Sequence, residues 1–511
     1  MWHHRYIEEL LEKRELAKMG GGTERQNKQR EKGKMTARER LDILFDQGTF
    51  VEVDNLIESR TEDFQMKEKR VPGDGVITGY GEIEGRLVFA YSEDFTVIGG
   101  TLGEYHSLKI CRIMDRALEM RAPLIAINDS GGARIEEGIS SLNGYSGMFL
   151  RNTKASGVIP QIAVIMGPCA GGACYSPAIC DFIFMTEDTS RMFITGPGVV
   201  KEVIGEIISS FELGSAKTHM EKSGVAHFSF KNDAECLKGV RKLLSYLPAN
   251  NEDIMQANKC STEDGSSRLQ EIVPDEQRKV YDVHKVIDVI IDKATFLEVQ
   301  PGYACNIVIG FARLNGQVLG IVANQPFVMG GSLDGNASEK GARFIRFCDA
   351  FNIPLLSLID VPGFFPGTQQ EHGGIIRKGA KLLYAYSEAV VPKVSLIMRK
   401  AYGGAYIAMN SKNMGADMVY AWPIAQIAVM GAQGAADIIY RQEIKNNVTA
   451  KEQFVNKYEQ TFMNPYIAAK RGYIDEVILP EETREKLISA FKMCRTKTKD
   501  IIKKKHGNIP L

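Results

Sequence analysis

The feature that most limits what this chain can fold into is an internal repeat. Gly99-Gly100-Thr101-Leu102 returns 231 residues later as Gly330-Gly331-Ser332-Leu333. The apolar run Pro123–Asp129 returns at the same interval as Pro354–Asp360, and Gly132 as Gly363. Gly171-Gly172-Ala173 returns as Gly403-Gly404-Ala405 at 232. Four landmarks in one order, drifting by a single residue, mark a duplication, and such self-similarity decides the architecture before any single element does. A length of 511 residues alone would suggest about three domains. The repeat reduces that to two homologous halves, 1–256 and 257–511, the first carrying a charged helical arm at 1–45. The boundary is expected in the polar stretch Ala249–Gln270.

Each half has the same layout. After Gly-Gly comes a helical pattern: Ile110, Ile113, Met114, Ala117 and Leu118 share one face, and Gly341, Phe344, Ile345 and Cys348 repeat most of it. Continuous apolar runs without alternation follow, at 123–129 and 162–166 and again at 354–360 and 394–398. Such runs suit parallel strands buried on both faces, with helices between them. The expected class is α/β. The arm is dense in Glu, Lys and Arg around Gly20-Gly21-Gly22. It reads as two solvated helices, lying on the body or on a partner chain.

Several function classes drop out. Lys+Arg and Asp+Glu both total 63, so there is no general basic footprint for nucleic acid. The polar start carries no apolar signal core, and no apolar run is long enough to span a membrane. The nine cysteines, 111, 169, 174, 180, 236, 260, 305, 348 and 494, form no C-x-x-C pair. The group Cys169, Cys174 and Cys180 has poor zinc spacing. Most read as buried reduced thiols in a reducing, cytoplasmic setting, and no metal is expected. The eight histidines are scattered and read as structural or solvated. Gly79-x-Gly81-x-x-x-Gly85 misses a dinucleotide loop by one residue, and Gly374-x4-Gly379 lacks the lysine of an ATP loop.

Glycine is the one compositional excess, 49 residues against a usual ~7%. Two of its clusters are Gly-Gly-Ala turns, each following a buried strand and opening an Ala-rich helical segment. Glycine lets backbone N–H groups approach a ligand closely, and a helix N-terminus adds free donors and a positive dipole end. Two such donors aimed at a carbonyl oxygen form an oxyanion hole. Close packing of helix on strand would explain either turn alone. Two turns at equivalent repeat positions favour paired oxyanion sites, hence a reaction between two carbonyl compounds. No Ser-His-Asp or Cys-His spacing accompanies them.

The residues Ile127-Asn128-Asp129-Ser130-Gly131-Gly132-Ala133-Arg134, Gly167-Pro168-Cys169-Ala170-Gly171-Gly172-Ala173, Asp360-Val361-Pro362-Gly363-Phe364-Phe365-Pro366-Gly367, Lys400-Ala401-Tyr402-Gly403-Gly404-Ala405-Tyr406 and the ending Lys505–Leu511 carry a resemblance. The chain, from about Thr36 onward, resembles the carboxyltransferase (β) subunit of biotin-dependent acyl-CoA carboxylases, propionyl-CoA carboxylase type. The α subunit of the sodium-pumping methylmalonyl-CoA decarboxylase is similar. The resemblance implies two tandem crotonase-like domains of the ClpP/crotonase ββα-superhelix kind, with the N-terminal helical arm. It implies carboxyl transfer between N1-carboxybiotin, held on a separate carrier protein, and the α-carbon of a short acyl-CoA such as propionyl- or acetyl-CoA. It implies a homo-hexamer built as a trimer of dimers, the N-terminal domain of one subunit facing the C-terminal domain of its mate. Gly171 and Gly172 would hold the thioester oxygen; Gly404 and Ala405 would hold the biotin ureido oxygen. Gly132, Ala133, Arg134, Gly363, Phe364 and Ile407 would line the substrate sites. No side-chain base is needed, because the biotin supplies it.

Two positions depart from the family pattern. Ile407 stands where many propionyl-CoA enzymes carry Asp, which opens acetyl- or mixed-chain use, and Ser215 replaces a usual Gly. The chain also has no biotinylation site, no ATP loop and no four-cysteine zinc ribbon. A biotin carboxyl carrier protein and a biotin carboxylase are therefore expected as partners, or a membrane decarboxylase subunit if the chain serves a decarboxylase; a transcarboxylase is the other variant. A crotonase-type hydratase would need carboxylates at the thioester, for which Glu136 and Glu137 are the candidates, and would need only one of the two turns. A non-enzymatic scaffold is the remaining reading.

Overall fold

The computed structural model describes residues 2–257, 265–446, 451–498 and 503–510. It divides into two compact units, Met1–Asp253 and Ile254–Leu511. The expected linker is polar on both sides of 257–265; its middle, with Cys260, lies outside the described residues, as does Leu511.

In the first unit the strands are β1 (Val51–Val53), β2 (Val76–Ile83), β3 (Arg86–Glu93), β4 (Leu124–Ser130), β5 (Gln161–Ala170), β6 (Phe182–Thr186), β7 (Arg191–Phe193) and β8 (Phe228–Phe230). They form one sheet in the order β1-β2-β3-β4-β5-β6-β8, with β7 beside β5. The β1/β2 and β2/β3 pairs are antiparallel and the rest parallel. The helix Glu104–Glu119 crosses from β3 to β4, and Ile139–Ala155 from β4 to β5. Ile110, Ile113, Met114 and Ala117 of the first crossover are buried on the sheet, as the 3.6-residue spacing requires.

The second unit repeats the plan. β9 (Leu297–Val299), β10 (Ile307–Leu314), β11 (Gln317–Asn324), β12 (Leu355–Val361), β13 (Lys393–Tyr402), β14 (Met418–Ala421), β15 (Gln426–Ala428) and β16 (Glu476–Val477) run β16-β14-β13-β12-β11-β10-β9, with β15 beside β13. β9/β10 and β10/β11 are again antiparallel and the rest parallel. All seven residues of β4 and of β12 are buried, which is why those segments are apolar at every position rather than alternately. These are the two homologous α/β halves expected from the duplication, in the tandem crotonase-like form that the resemblance implies.

The arm departs from expectation. Its helices are Trp2–Met19, Thr23–Glu31 and Ala37–Leu44. The first is exposed along most of its length, but Gln29, Lys34, Thr36, Ala37, Arg40, Leu41 and Leu44 are buried. Thr36 caps the third helix, accepting from Glu39 N while the Glu39 carboxylate accepts from Thr36 N. The helix then inserts Arg40 into the body. Its guanidinium reaches Asp129 at 2.9 Å, Asp233 at 2.8 Å and the Met166 carbonyl at 3.1 Å, so it bridges the arm, the end of β4 and the helix Asp233–Leu244. A charge density that reads as a solvated surface is partly an internal counter-ion.

Removing one member of a buried ion group leaves uncompensated charge, at a cost of roughly 3–5 kcal/mol. Arg40→Met should lower the denaturant midpoint of the first unit by a corresponding amount. Lys28→Met removes an exposed pair with Glu24 and should leave the midpoint in place. Equal midpoints for the two variants would show that the Arg40 group does not hold the arm.

Candidate active site

The two Gly-Gly-Ala turns form by the same local physics. β5 ends at Ala170 and β13 at Tyr402; the chain then reverses through Gly171 at φ 62° and Gly403 at φ 58°. That left-handed conformation favours glycine, and a Cβ on Gly403 would also lie 2.9 Å from the Val429 carbonyl oxygen. A short helical turn follows, Gly171–Cys174 in the first unit and Gly403–Ala408 in the second, and neither Ala170 nor Tyr402 supplies a side-chain cap. The first N–H groups of each turn therefore have no intrahelical acceptor. Gly172 and Gly404 have ordinary backbone angles; a Cβ would come within 3.3 Å of the Tyr145 ring at Gly172 and 3.9 Å of Phe364 Cε2 at Gly404.

A second backbone segment lies beside each turn. In the first unit Leu102 N donates to Gly132 O and Arg134 N to Leu102 O, both at 2.9 Å. Ala133, between them, turns its own N–H and carbonyl away from Leu102. A Cβ on Gly132 would sit 2.9 Å from Ala170 O, so this loop packs directly on the strand end that carries the turn. In the second unit Leu333 N donates to Gly363 O at 3.1 Å and Phe365 N to Leu333 O at 2.8 Å, leaving Phe364 in the position of Ala133. The structure thus gathers Gly132, Ala133, Gly171 and Gly172 in one unit, and Gly363, Phe364, Gly404, Ala405 and Ile407 in the other.

Arg134 is the exception. Its side chain is fully buried and points inward, pairing with Asp74 at 2.8 Å and Glu137 at 2.7 Å and donating to Thr101 O at 2.9 Å. It fixes the loop from behind rather than lining a substrate surface. Glu137 is equally committed, to Arg134, to Ser59 Oγ and to Glu104 N. This removes one of the two carboxylates that a hydratase reading would need.

Each unit has a cavity; in the second unit the glycine turn lines it, whereas in the first the cavity opens against the arm and none of the turn's residues lines it. The first, about 640 Å³, is lined by Arg25, Lys28, Lys32 and Lys34 of the arm with Phe95 and Pro168. The second, about 480 Å³, is lined by Gly403, Gly404, Ile407, Val429 and Phe462, with Arg471 at its rim. The arm residues went unnoticed in the sequence, because a Lys/Arg-rich helix has no signal separating a solvated face from a cavity wall.

Behind the first turn lies a group of buried ionisable residues. Lys34 Nζ is 2.6 Å from Asp129 Oδ2 and 4.6 Å from the Phe95 ring centroid. Asp129 N donates to Glu93 Oε2 at 2.9 Å. Burial, with the adjacent Asp129 charge, raises the Glu93 pKa to about 8, against the pull of that N–H. His106 Nδ1 lies 2.9 Å from Asp74 O, and its Nε2 faces Glu93 Oε1 at 3.8 Å. Burial holds the imidazole well below its ordinary pKa, so it is neutral and its Nδ1–H donates to Asp74.

Residues 28–509 match the model of the carboxyl transferase domain. The chain belongs to the carboxyl transferase family. It is an acyl-CoA carboxyltransferase. It is 56% identical over 510 residues to the propionyl-CoA carboxylase carboxyltransferase subunit of Haloferax mediterranei, covering 99% of each chain. It is 54% identical to the methylmalonyl-CoA decarboxylase subunit alpha of Veillonella parvula, again over 99% of each. Among solved structures, the transcarboxylase 12S core with methylmalonyl-CoA and methylmalonic acid bound superposes with a TM-score of 0.96 at 52% identity, covering 99% of this chain and 98% of that one.

Glu93 provides a pH prediction. Its pKa is raised on folding from an ordinary 4.5 to about 8. Its contribution to stability is therefore fully present below pH 4.5 and is lost as pH rises through about 8. Asn324, its equivalent in the second unit, accepts from Asp360 N through an amide oxygen, so Glu93→Gln should fold. The melting temperature of the variant relative to the native chain should climb steadily from pH 5 to pH 8. A difference that is flat across that range would mean that Glu93 is already ionised in the folded protein.

Proposed function

We propose that this chain moves a carboxyl group between carboxybiotin, carried on a separate protein, and the α-carbon of a short acyl-CoA of the propionyl/methylmalonyl class. The carrying observation is the pair of equivalent turns, each opening a helical segment without a side-chain cap; the second lines an apolar cavity, and a cationic cavity lies against the arm in the unit that holds the first. A CoA ester has a polyanionic tail and one polarisable thioester oxygen. The first turn suits it: Gly171 and Gly172 would hold the oxygen, the Gly132-Ala133 backbone would border the acyl end, and Arg25, Lys28 and Lys32 would face the phosphates. Biotin is uncharged in its ureido ring and presents one carbonyl oxygen on an apolar bicycle. The second turn suits that: Gly404 and Ala405 would hold the oxygen, with Gly363, Phe364 and Ile407 as walls.

Biotin, when bound, supplies the carboxyl group and, once that group is released, the base for the α-proton. The residues of this chain then have three tasks. They hold two oxygens in place as charge develops on them, where each donor is worth about 10²–10³ in rate. They keep the reacting atoms in line. They exclude water from a reactive carboxyl group. No nucleophilic side chain is required, which fits the commitment of Arg134 and Glu137 elsewhere. We further propose a hexamer, supported by the 52% identical transcarboxylase core, which assembles as one, and partners that charge and carry the biotin.

The test is carboxyl transfer to free biotin from methylmalonyl-, malonyl- and glutaconyl-CoA. Methylmalonyl-CoA should be a donor, and no turnover with any of the three would overturn the assignment. Gly172→Val and Gly404→Val should each lower kcat about 10²-fold or more with the fold and assembly kept, since neither position needs a positive φ. A variant with full activity would remove its turn from the chemistry.

A further inference from the structure

Two cysteines bracket the first turn. Cys169 lies on the last turns of β5 and Cys174 closes the Gly171–Cys174 turn, so Ala170-Gly171-Gly172-Ala173 is the whole segment between them. Both are buried free thiols. Cys174 Sγ is 3.0 Å from the Cys169 carbonyl oxygen and 3.3 Å from that of Phe193, which folds its side chain back over Cys169. The neighbouring Cys169 thiol holds Cys174 below the usual thiol range, and Cys174 with burial holds Cys169 well above it. The next residue, Tyr175, is exposed, while Cys174 itself keeps 5% of its surface accessible. The second unit has no such pair: the equivalent positions are Ala401 and Tyr406.

We propose that Cys169 and Cys174 are a modification site, an oxidisable thiol pair that a peroxide converts to a disulfide across the acyl-CoA turn. Attack of the Cys174 sulfur on hydrogen peroxide breaks the O–O bond and gives a sulfenic acid and one water. The Cys169 sulfur then attacks that sulfenic sulfur, expelling a second water as the S–S bond forms. Overall, two thiols are oxidised by two electrons and one peroxide is reduced to two waters. The short bridge replaces the two carbonyl contacts of Cys174 and ties the strand end to the turn. It thereby shifts the Gly171 and Gly172 N–H groups from the position that the thioester oxygen needs. The functional half of this inference rests on the acyl-CoA reading of that turn.

The experiment uses the purified full chain. It is reduced, treated with hydrogen peroxide, freed of peroxide with catalase, and then alkylated and digested with trypsin. The peptide 155–191 contains Cys169, Cys174 and Cys180. It should appear with one alkyl group instead of three and two hydrogens fewer, the fragment ions placing the remaining alkyl group on Cys180. Transfer from methylmalonyl-CoA to free biotin should fall about tenfold or more and recover with dithiothreitol. Cys174→Val should keep its activity through the treatment, and Cys169→Ala serves as a second variant in case the first folds poorly. Three alkylated thiols in the treated peptide, or equal inactivation of both variants and the native chain, would overturn the proposal. A bridge that forms without loss of transfer would overturn its effect on the turn. Absence of transfer before any peroxide would instead count against the acyl-CoA reading, while the mass of the peptide would still decide whether the bridge forms.

Discussion

A carboxylate is buried at the end of the central strand of each unit, and much of the surrounding structure exists to compensate it. Asp129 and Asp360 are both fully inaccessible. An isolated buried carboxylate is strongly disfavoured and needs a close cation with its remaining lone pairs occupied. The two units meet that need from different places. In the second, Arg399 of the neighbouring strand β13 reaches Asp360 Oδ2 at 2.9 Å and also binds the carbonyls of Glu276 and Lys279. In the first, the equivalent of Arg399 is Gly167, where even a Cβ would sit 1.9 Å from Asp129 Oδ1. The cations come instead from the arm, as Lys34 and Arg40. The charge that fixes the strand end therefore also recruits the arm helices, and with them the lysines and arginine that line the first cavity.

Those strand ends are followed directly by the backbone to which the proposed function assigns the chemistry. The loops Ser130–Arg134 and Val361–Phe365 leave β4 and β12 immediately after the buried aspartates, and the two glycine turns leave the adjacent strands β5 and β13. Donors that act through backbone N–H groups cannot be repositioned by choosing another rotamer. Their placement is only as good as the strand end behind them, and the fully buried Arg134, paired with Asp74 and Glu137, braces the loop there.

The duplication, the α/β class, the buried strands and the positions of both turns were legible in the sequence, because each is a local pattern or a repeat of one. The role of Gly171 and Gly403 was legible only in part. The sequence shows Gly-Gly pairs, while the structure separates a first glycine required for its φ from a second with ordinary backbone angles, close against the Tyr145 ring at Gly172 but with room for a Cβ at Gly404. Arg134 was misplaced as a substrate contact: its position in the loop follows from sequence, but the direction of its guanidinium depends on Asp74, 60 residues earlier. The arm was misread for the same reason. Arg40 differs from its solvated neighbours only in having Asp129 and Asp233 as partners, 89 and 193 residues away, and no local spacing encodes that.

What the two units retained and what they changed divides along functional lines. Lys109 and Lys340 occupy the same repeat position, and both are buried against carbonyls of the loop between the first two strands of their sheets and of the residue that opens the second strand, Gly73 and Val76 for one, Gln300, Tyr303 and Ile307 for the other. Burial lowers both to about 8. Ile98 and Met329, also equivalent, share a positive φ that a β-branched residue adopts only under constraint. These are scaffold features, kept in both copies despite their cost. Around the turns the copies diverge instead: Glu93 against Asn324, Gly167 against Arg399, Ala133 against Phe364, Cys174 against Tyr406. These changes alter charge, polarity or volume around the strand ends and loops from which the two turns leave. Two equivalent turns with unlike surroundings are what the proposed reaction between two unlike carbonyl compounds requires.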